Sequence, residues 1–252
     1  MARRRLKVFV VTQDDPVYAP VYLDAILEAS GHEFVGITAL PMGGRKGFLT
    51  TVRDRFRIYG PAAFVRAAML YARGRLTRPV TEVAKERGVP VVACNNINAT
   101  DFISVIRDSD VDVLLSVAAN QRFGPALLAA PRVASVNIHS ALLPKYRGLD
   151  GLFWALCHGE TTVGVTAHLM TERFDEGGIL GQASFPVPPE ATLHDLYHEA
   201  MRHGATLLAR VLDDLASETV DIQPNDPAAG SYFSAPTREA VREFRRLGKR
   251  FF

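Results

Sequence analysis

Short apolar runs and helical stripes alternate through the first half of this chain. KVFVVT (7–12) is apolar and β-branched and ends in polar turn residues, which predicts a buried first strand. In VYAPVYLDAILEASG (17–31), Leu23, Ile26 and Leu27 have helical spacing, and Gly31 stands where a helix cap belongs. FVGITAL (34–40), VPVVAC (89–94), DVDVLLSVA (110–118) and ASVNIH (134–139) predict the second to fifth strands. Helical segments precede most of them, 100–109 before the fourth and the short PALLAAP before the fifth. Strand, helix, strand at this rhythm predicts an α/β fold with a parallel sheet and helices on both faces.

The pattern then changes. TTVGVTAHLMT (161–171) and GGILGQASFPV (177–187) are two extended runs with a short gap, which predicts strands beyond the parallel core. Thr192 opens a long helix whose apolar stripe is Leu193, Leu196, Tyr197, Ala200, Met201, Leu207, Leu208, Val211, Leu212 and Leu215. From Pro224 the tail carries turn signals and ends in a short basic helix, REAVREFRRLGKRFF. The expected division is one catalytic domain over 1–220 and a short tail with a helix over 221–252.

Composition adds little until charge is placed along the chain. Charged residues are 22% and apolar residues 48% of 252, which favours a packed globular domain over disorder. The net charge of +2 names no partner, but Arg45 to Arg78 holds nine Lys or Arg and one acid, Asp54. Phe48, Leu49, Val52, Phe56, Phe64, Val65, Ala68, Met69 and Tyr71 are interleaved with them. The segment 41–80 reads as two helices broken at Gly60-Pro61 and inserted after the second strand. A solvated helical hairpin, a lid for an anionic substrate, and a face for a polyanion or membrane surface are all open. Cys94 and Cys157 make neither a disulfide framework nor a metal motif, so the reducing cytoplasm is expected. The apolar run after the N-terminal basic residues is about six residues, too short for a signal peptide. No apolar segment approaches the roughly 18 residues of a membrane span.

The chemistry concentrates in VNIHSALLPKYRG (136–148). In open α/β sheets ligands collect at the carboxyl ends of strands. Asn137 and His139 sit at such an end, two apart, so both face one crevice while Ile138 faces the core. MTERFDEGG (170–178) places Asp175 in a Gly-flanked loop between two strands, where its carboxylate would hold the tautomer of a nearby His. An amide, an imidazole and a carboxylate suit acyl transfer: two stabilise an oxyanion and the third moves the proton off an attacking amine. On spacing alone, a structural Asn and His at a strand end explain the residues equally well.

The stretches NIHSALLPKYRG and GVTAHLMTERFDEGGILGQ resemble the formyltransferases that use 10-formyltetrahydrofolate, and DVLLSVAANQRFGPALL extends the likeness over roughly 85–190. The shared pattern is Asn-x-His at a strand end, a Leu-Leu-Pro turn followed by Gly, and an Asp some 36 residues after the His; His139 to Asp175 is 36 here. The resemblance implies a Rossmann-like fold of the formyltransferase catalytic-domain type. It implies that Asn137 and His139 polarise the formyl carbonyl and that Asp175 pairs with His139 to assist proton transfer. It implies a pterin cleft lined by the backbone of Asn120, Gln121, Arg122 and Phe123 and by the loop of Thr171, Glu172, Arg173, Phe174 and Asp175. Tyr146, Arg147 and Gly148 would border the acceptor. The co-substrate would be 10-formyltetrahydrofolate, with no metal.

Two departures from the family shape the expected acceptor. The first strand runs into TQDDPVYAP, without the Gly-rich phosphate loop of the purine-pathway members. Some 35 residues follow the long helix, so neither the tRNA-binding domain of methionyl-tRNA formyltransferase nor an N-terminal regulatory domain like the deformylase's is expected. The expected acceptor is therefore a small amine, with a nucleotide-linked amino sugar favoured and tRNA disfavoured. Hydrolysis of the donor, or a non-catalytic polyanion or membrane-surface role through 41–80, is the alternative. A homodimer is compatible with the sequence. Among other residues, His194 and His198 are four apart but lack a third ligand, with His203 on a different face. His168 is expected to support the site rather than react. Trp154 and the Tyr232-Phe233 pair are expected to pack.

Overall fold

The computed structural model describes residues 4–42 and 48–252. Arg45 and Lys46 of the basic segment, and the side chains of Phe48 and Leu49, lie outside the described residues. The strands are β1 (Lys7–Gln13), β2 (Glu33–Leu40), β3 (Val113–Val117), β4 (Ala134–His139), β5 (Arg147–Gly148), β6 (Thr162–Leu169), β7 (Ile179–Pro186) and β8 (Tyr232–Phe233). The helices are α1 (Ala19–Ala29), α2 (Phe48–Thr77), α3 (Val80–Glu86), α4 (Thr100–Asp108), α5 (Pro125–Leu128), α6 (Gly151–Cys157), α7 (Leu193–Ala216) and α8 (Arg238–Arg246).

The main sheet has the order β2-β1-β3-β4-β6-β7. Its first four strands are parallel, and β6 and β7 continue it antiparallel. Side chains alternate between two cores, as a sheet covered on both faces requires. Val8 and Val10 pack with Leu23, Val83, Phe153, Leu208 and Phe244 from α1, α3, α6, α7 and α8. Phe9 and Val11 pack on the other face with Phe102, Ile106 and Leu127 from α4 and α5.

The long helix starts as expected. Thr192 caps it, its Oγ1 accepting from the Asp195 N–H at 3.1 Å while Asp195 accepts from the Thr192 N–H at 2.9 Å. The apolar stripe is buried, with Tyr197 half-buried. The break in the basic segment also falls where expected: Gly60, at φ 70° and ψ 173°, interrupts α2 just before Pro61.

The expected strand at 89–94 forms only one bridge, between Val91 and Ile37. Pro90 has no N–H to donate, so the segment attaches to β2 by its own carbonyl and by the Val92 N–H, and pairing stops there. The tail past 220 packs into the main core. Phe244 and Phe251 lie 5.0 and 6.1 Å from the Phe153 ring, and β8 pairs in parallel with β5. No helix among the described residues is long and apolar enough to cross a membrane.

Candidate active site

The strand end, the turn after it and the β6–β7 loop converge. Register explains the first contact. Asn137 on β4 lies directly across from His168 on β6, so their side chains share one face, and the Asn137 amide stands 3.0 Å from His168 Nε2. His168 Nδ1 is 2.8 Å from the Leu169 carbonyl, which only accepts, so Nδ1 carries a proton. In the neutral ring Nε2 then accepts from the Asn137 amide, leaving the second N–H of that amide for another acceptor. A second ring proton would face Asp175 Oδ1, 3.4 Å away.

His139 is held in the same way. Its Nε2 donates to the Tyr146 carbonyl at 2.8 Å, which points Nδ1 at Asp175 Oδ2, 3.8 Å away. That gap is too long for a hydrogen bond and short enough for a strong charge interaction once the ring is protonated. The Asp175 carboxylate also accepts the Gly148 N–H at 2.8 Å. Burial pushes the Asp175 carboxyl up, but the charges of His139 and His168 and the Gly148 N–H outweigh it and hold the group at about 2. It stays ionised, between two imidazoles, at any ordinary pH.

The backbone that presents these groups is constrained. Asp175 has φ 55°, and the loop behind it is pinned by Asn225, whose Nδ2 donates to the carbonyls of Asp175 and Gly177, both at 2.9 Å. Gly148 has φ 94°, and a Cβ there would strike the Phe233 carbonyl oxygen, so this turn needs glycine. The Leu-Leu-Pro turn contains a cis Leu143–Pro144 peptide and is tied to β6 by Thr166, which donates to the Ala141 carbonyl at 2.6 Å.

The other expected site residues divide. The Tyr146 side chain is buried and donates to Glu160, so that residue offers the site its carbonyl only. Arg147 is buried, paired with Glu176, and donates to the Pro227 carbonyl; it fastens the turn to the loop after Asp175. In the expected cleft, the Asn120 amide donates to the Pro41 carbonyl and the Gln121 amide to the Asn95 carbonyl, so these side chains brace the wall, and Asn98 donates to the Arg122 carbonyl at 2.9 Å. Phe123 is core. Arg122 donates to the Glu172 carbonyl and lies 5.9 Å over the Phe174 ring, joining the two expected walls. Thr171 closes its loop on the Arg173 carbonyl at 3.0 Å, and Arg173 and Phe174 are exposed. His194 is bonded to the Tyr18 hydroxyl at 2.8 Å, and no group of three metal-ligating side chains occurs among the described residues. Trp154 stacks on Phe233 at 4.6 Å.

A second polar cluster was not foreseen. Asp150 follows Gly148 by two residues, within about 7 Å of chain. Tyr197 donates to Asp150 at 3.4 Å, and Arg55 of α2 donates to Tyr59 at 3.2 Å. The Tyr18 and Tyr197 rings are 5.3 Å apart, and Asp15 accepts the Val17 N–H at 2.7 Å. Burial raises the Asp150 carboxyl above its ordinary value despite the charge of Arg55. Yet Arg55 is exposed and Asp150, Tyr18, Tyr59 and Tyr197 are half-exposed. The residues come from α2, α7, the loop before α1 and the turn before α6, so no local motif announces them.

The model of the formyl transferase family matches residues 67–212. The chain belongs to that family. Curated relatives of this formyl transferase chain include the methionyl-tRNA formyltransferase of Pelobacter propionicus, 34% identical over 61% of this chain and 48% of the relative. That of Moorella thermoacetica is 29% identical over 88% of this chain and 64% of the relative. The chain spans about half the length of most curated relatives it matches. Among solved structures, glycinamide ribonucleotide transformylase 1 from Symbiobacterium toebii superposes with a TM-score of 0.63 at 19% identity, covering 88% of this chain and 95% of that one. An N-formyltransferase from Helicobacter canadensis, in complex with folinic acid and dTDP-3-aminofucose, gives 0.61 at 17%, covering 96% and 80%. These likenesses establish the formyl transferase fold.

Proposed function

We propose that this chain transfers a formyl group from 10-formyltetrahydrofolate to the primary amine of a small acceptor, in the cytoplasm. The observation that carries the reading is the convergence of Asn137, His139 and Asp175 on one strand end. The free N–H of the Asn137 amide and a protonated His139 would stabilise the oxyanion formed when the amine attacks the formyl carbon. Asp175, ionised and 3.8 Å from His139 Nδ1, keeps that proton on the ring and receives the amine's proton through water; collapse of the adduct breaks the bond from the formyl carbon to N10, which leaves as tetrahydrofolate after taking up a proton. The donor would lie along the wall of Asn120 to Phe123 and Thr171 to Phe174, where the Phe174 ring is exposed; Phe123 supports that wall from the core. The catalytic domain is assigned to 1–220 with 221–252 as the segment that braces it, and no metal is assigned a role.

The acceptor reading rests on the second cluster. A carboxylate, a guanidinium and three phenols suit a hydroxylated ring bearing an amine, since Asp and Arg bond vicinal hydroxyls and aromatic faces cover the ring. A nucleotide-linked amino sugar fits that description, and the Helicobacter canadensis relative was crystallised with one. A methionyl-tRNA acceptor is the second reading, carried by the curated relatives; the expectation that tRNA is disfavoured finds no support in them.

Turnover of 10-formyltetrahydrofolate with a dTDP-linked 3-amino sugar tests the reading. Asp150→Asn should raise KM for the sugar about 10–100-fold, the loss of one charge-assisted bond, and leave donor affinity unchanged. Formate release at the full rate without any amine would make the chain a hydrolase. Formylation of methionyl-tRNA but not of the sugar would establish the second reading.

A further inference from the structure

The second half of α2 is built inside out. After the break at Gly60 it presents Pro61, Ala62, Val65, Ala68, Met69, Ala72 and Leu76 to solvent. At 3.6 residues per turn, Met69, Ala72 and Leu76 fall within about 40° of Val65 around the helix axis. Val65 is 56%, Met69 61% and Leu76 87% exposed. The opposite side, Ala63, Ala67, Leu70 and Gly74, is half-buried, and Gly74 packs so closely on the Pro16 carbonyl that a Cβ would strike it. This inner side is therefore the one that docks on the protein, and Val65, Met69 and Leu76 are left outside it. A surface helix of a globular domain has the reverse arrangement.

Charge says what the outer face meets. Arg66 and Arg73, seven residues apart, lie along one border of the stripe; both are exposed, and neither is in an ion pair among the described residues. Arg53 and Arg57 are exposed on the first half of the helix, where Asp54 is the one acid of α2. Arg57 also lines a groove of about 390 Å³ with Arg238, Arg242 and Arg245 of α8, where Glu239 pairs with Arg242. An apolar stripe edged by arginine matches the boundary between anionic headgroups and acyl chains, where the stripe enters the apolar layer and the guanidinium groups meet phosphate. A second copy of the chain fits worse, because it would bring the same arginines against these, and each helix offers one acid, Asp54, on its first half, away from Arg66 and Arg73. A nucleic acid would use the arginines and leave the stripe in water.

We infer that the outer face of residues 61–77 binds an anionic lipid surface peripherally, holding the formyl transferase domain against a membrane without crossing it. The test is co-sedimentation of the full chain with vesicles of phosphatidylcholine alone and of phosphatidylcholine with phosphatidylglycerol. The chain should pellet with the second kind and stay in solution with the first. Val65→Glu/Met69→Glu should abolish pelleting. Arg66→Ala/Arg73→Ala should weaken it about 30-fold at low ionic strength, from ~1 kcal/mol per arginine near the surface. Far-UV circular dichroism of both variants should match wild type, because all four residues are exposed. A chain that pellets with neither vesicle overturns the inference. So does self-association that Val65→Glu/Met69→Glu removes without any vesicle binding, which would assign the face to a second copy. Binding to bulk tRNA that survives Val65→Glu/Met69→Glu, with no vesicle binding, would assign the arginines to nucleic acid.

Discussion

At the end of β4 each of the three candidate groups is fixed by a partner within the chain. His139 is held by the Tyr146 carbonyl, Asp175 by the Gly148 N–H, and Asn137 by a histidine across the strand pair. On the outer face of α2, Val65, Met69 and Leu76 have mostly water around them. The first region is over-determined by its own chain, as a site that must hold geometry against a reacting substrate has to be. The second is under-determined, and its sequence makes sense only against something outside the chain. Polar groups buried with partners and apolar groups exposed without them are both departures from the ordinary surface, and each marks a different kind of function.

The widest separation between the two regions should appear in turnover. Asp175→Asn keeps the left-handed backbone, which Asn tolerates, but removes the charge, and should lower kcat by ~10²–10⁴; Val65→Glu/Met69→Glu should leave kcat unchanged. Steady-state assays on the two proteins check both, and full activity in Asp175→Asn would remove Asp175 from the mechanism. Next in size is the bracing behind the site. Phe244 is fully buried between α6 and the tail, so Phe244→Ala should cost about 3–5 kcal/mol in urea unfolding.

Acid sharpens the contrast further. The Asp175 carboxyl is depressed from 3.8 to about 2 in the folded chain. Its contribution is therefore complete above pH 4 and is lost as pH falls through 2. The amount is about 2 kcal/mol by linkage. Stability measured between pH 5 and 2 should fall less steeply in Asp175→Asn than in wild type. The smallest effect belongs to the exposed helix, where Val65→Glu/Met69→Glu should change unfolding free energy by no more than about 0.5 kcal/mol per site. A larger loss would mean the face is packed against the chain itself.

Much of the candidate site is legible in the sequence, because a strand has a period of two. That period puts Asn137 and His139 on one side and sends Ile138 into the core, and the spacing to Asp175 made the family recognisable. Partnering was less visible. Arg147 follows the Leu-Leu-Pro turn and reads as free to meet a substrate, yet it is buried against Glu176, and nothing local to either residue foretells the pair. The strand expected at 89–94 shows the limit of composition: its apolar residues fit a strand, but Pro90 and an edge position leave it one bridge. Asn225 and the cluster of Asp150, Arg55 and Tyr197 had no signal, since their contacts span 47 residues and more.

The sequence by itself determined the alternation of strands and helices, the break in α2, the cap of α7 and the trio at the end of β4. All of these follow from periodicity, propensity or a short motif, interactions that act within one or two turns of chain. Only the tertiary structure decided which imidazole nitrogen faces Asp175, which arginine is buried, that the tail completes the core, and which side of α2 looks outward. Those outcomes depend on contacts between segments far apart in the chain, whose energies exist only after the sheet has brought them together.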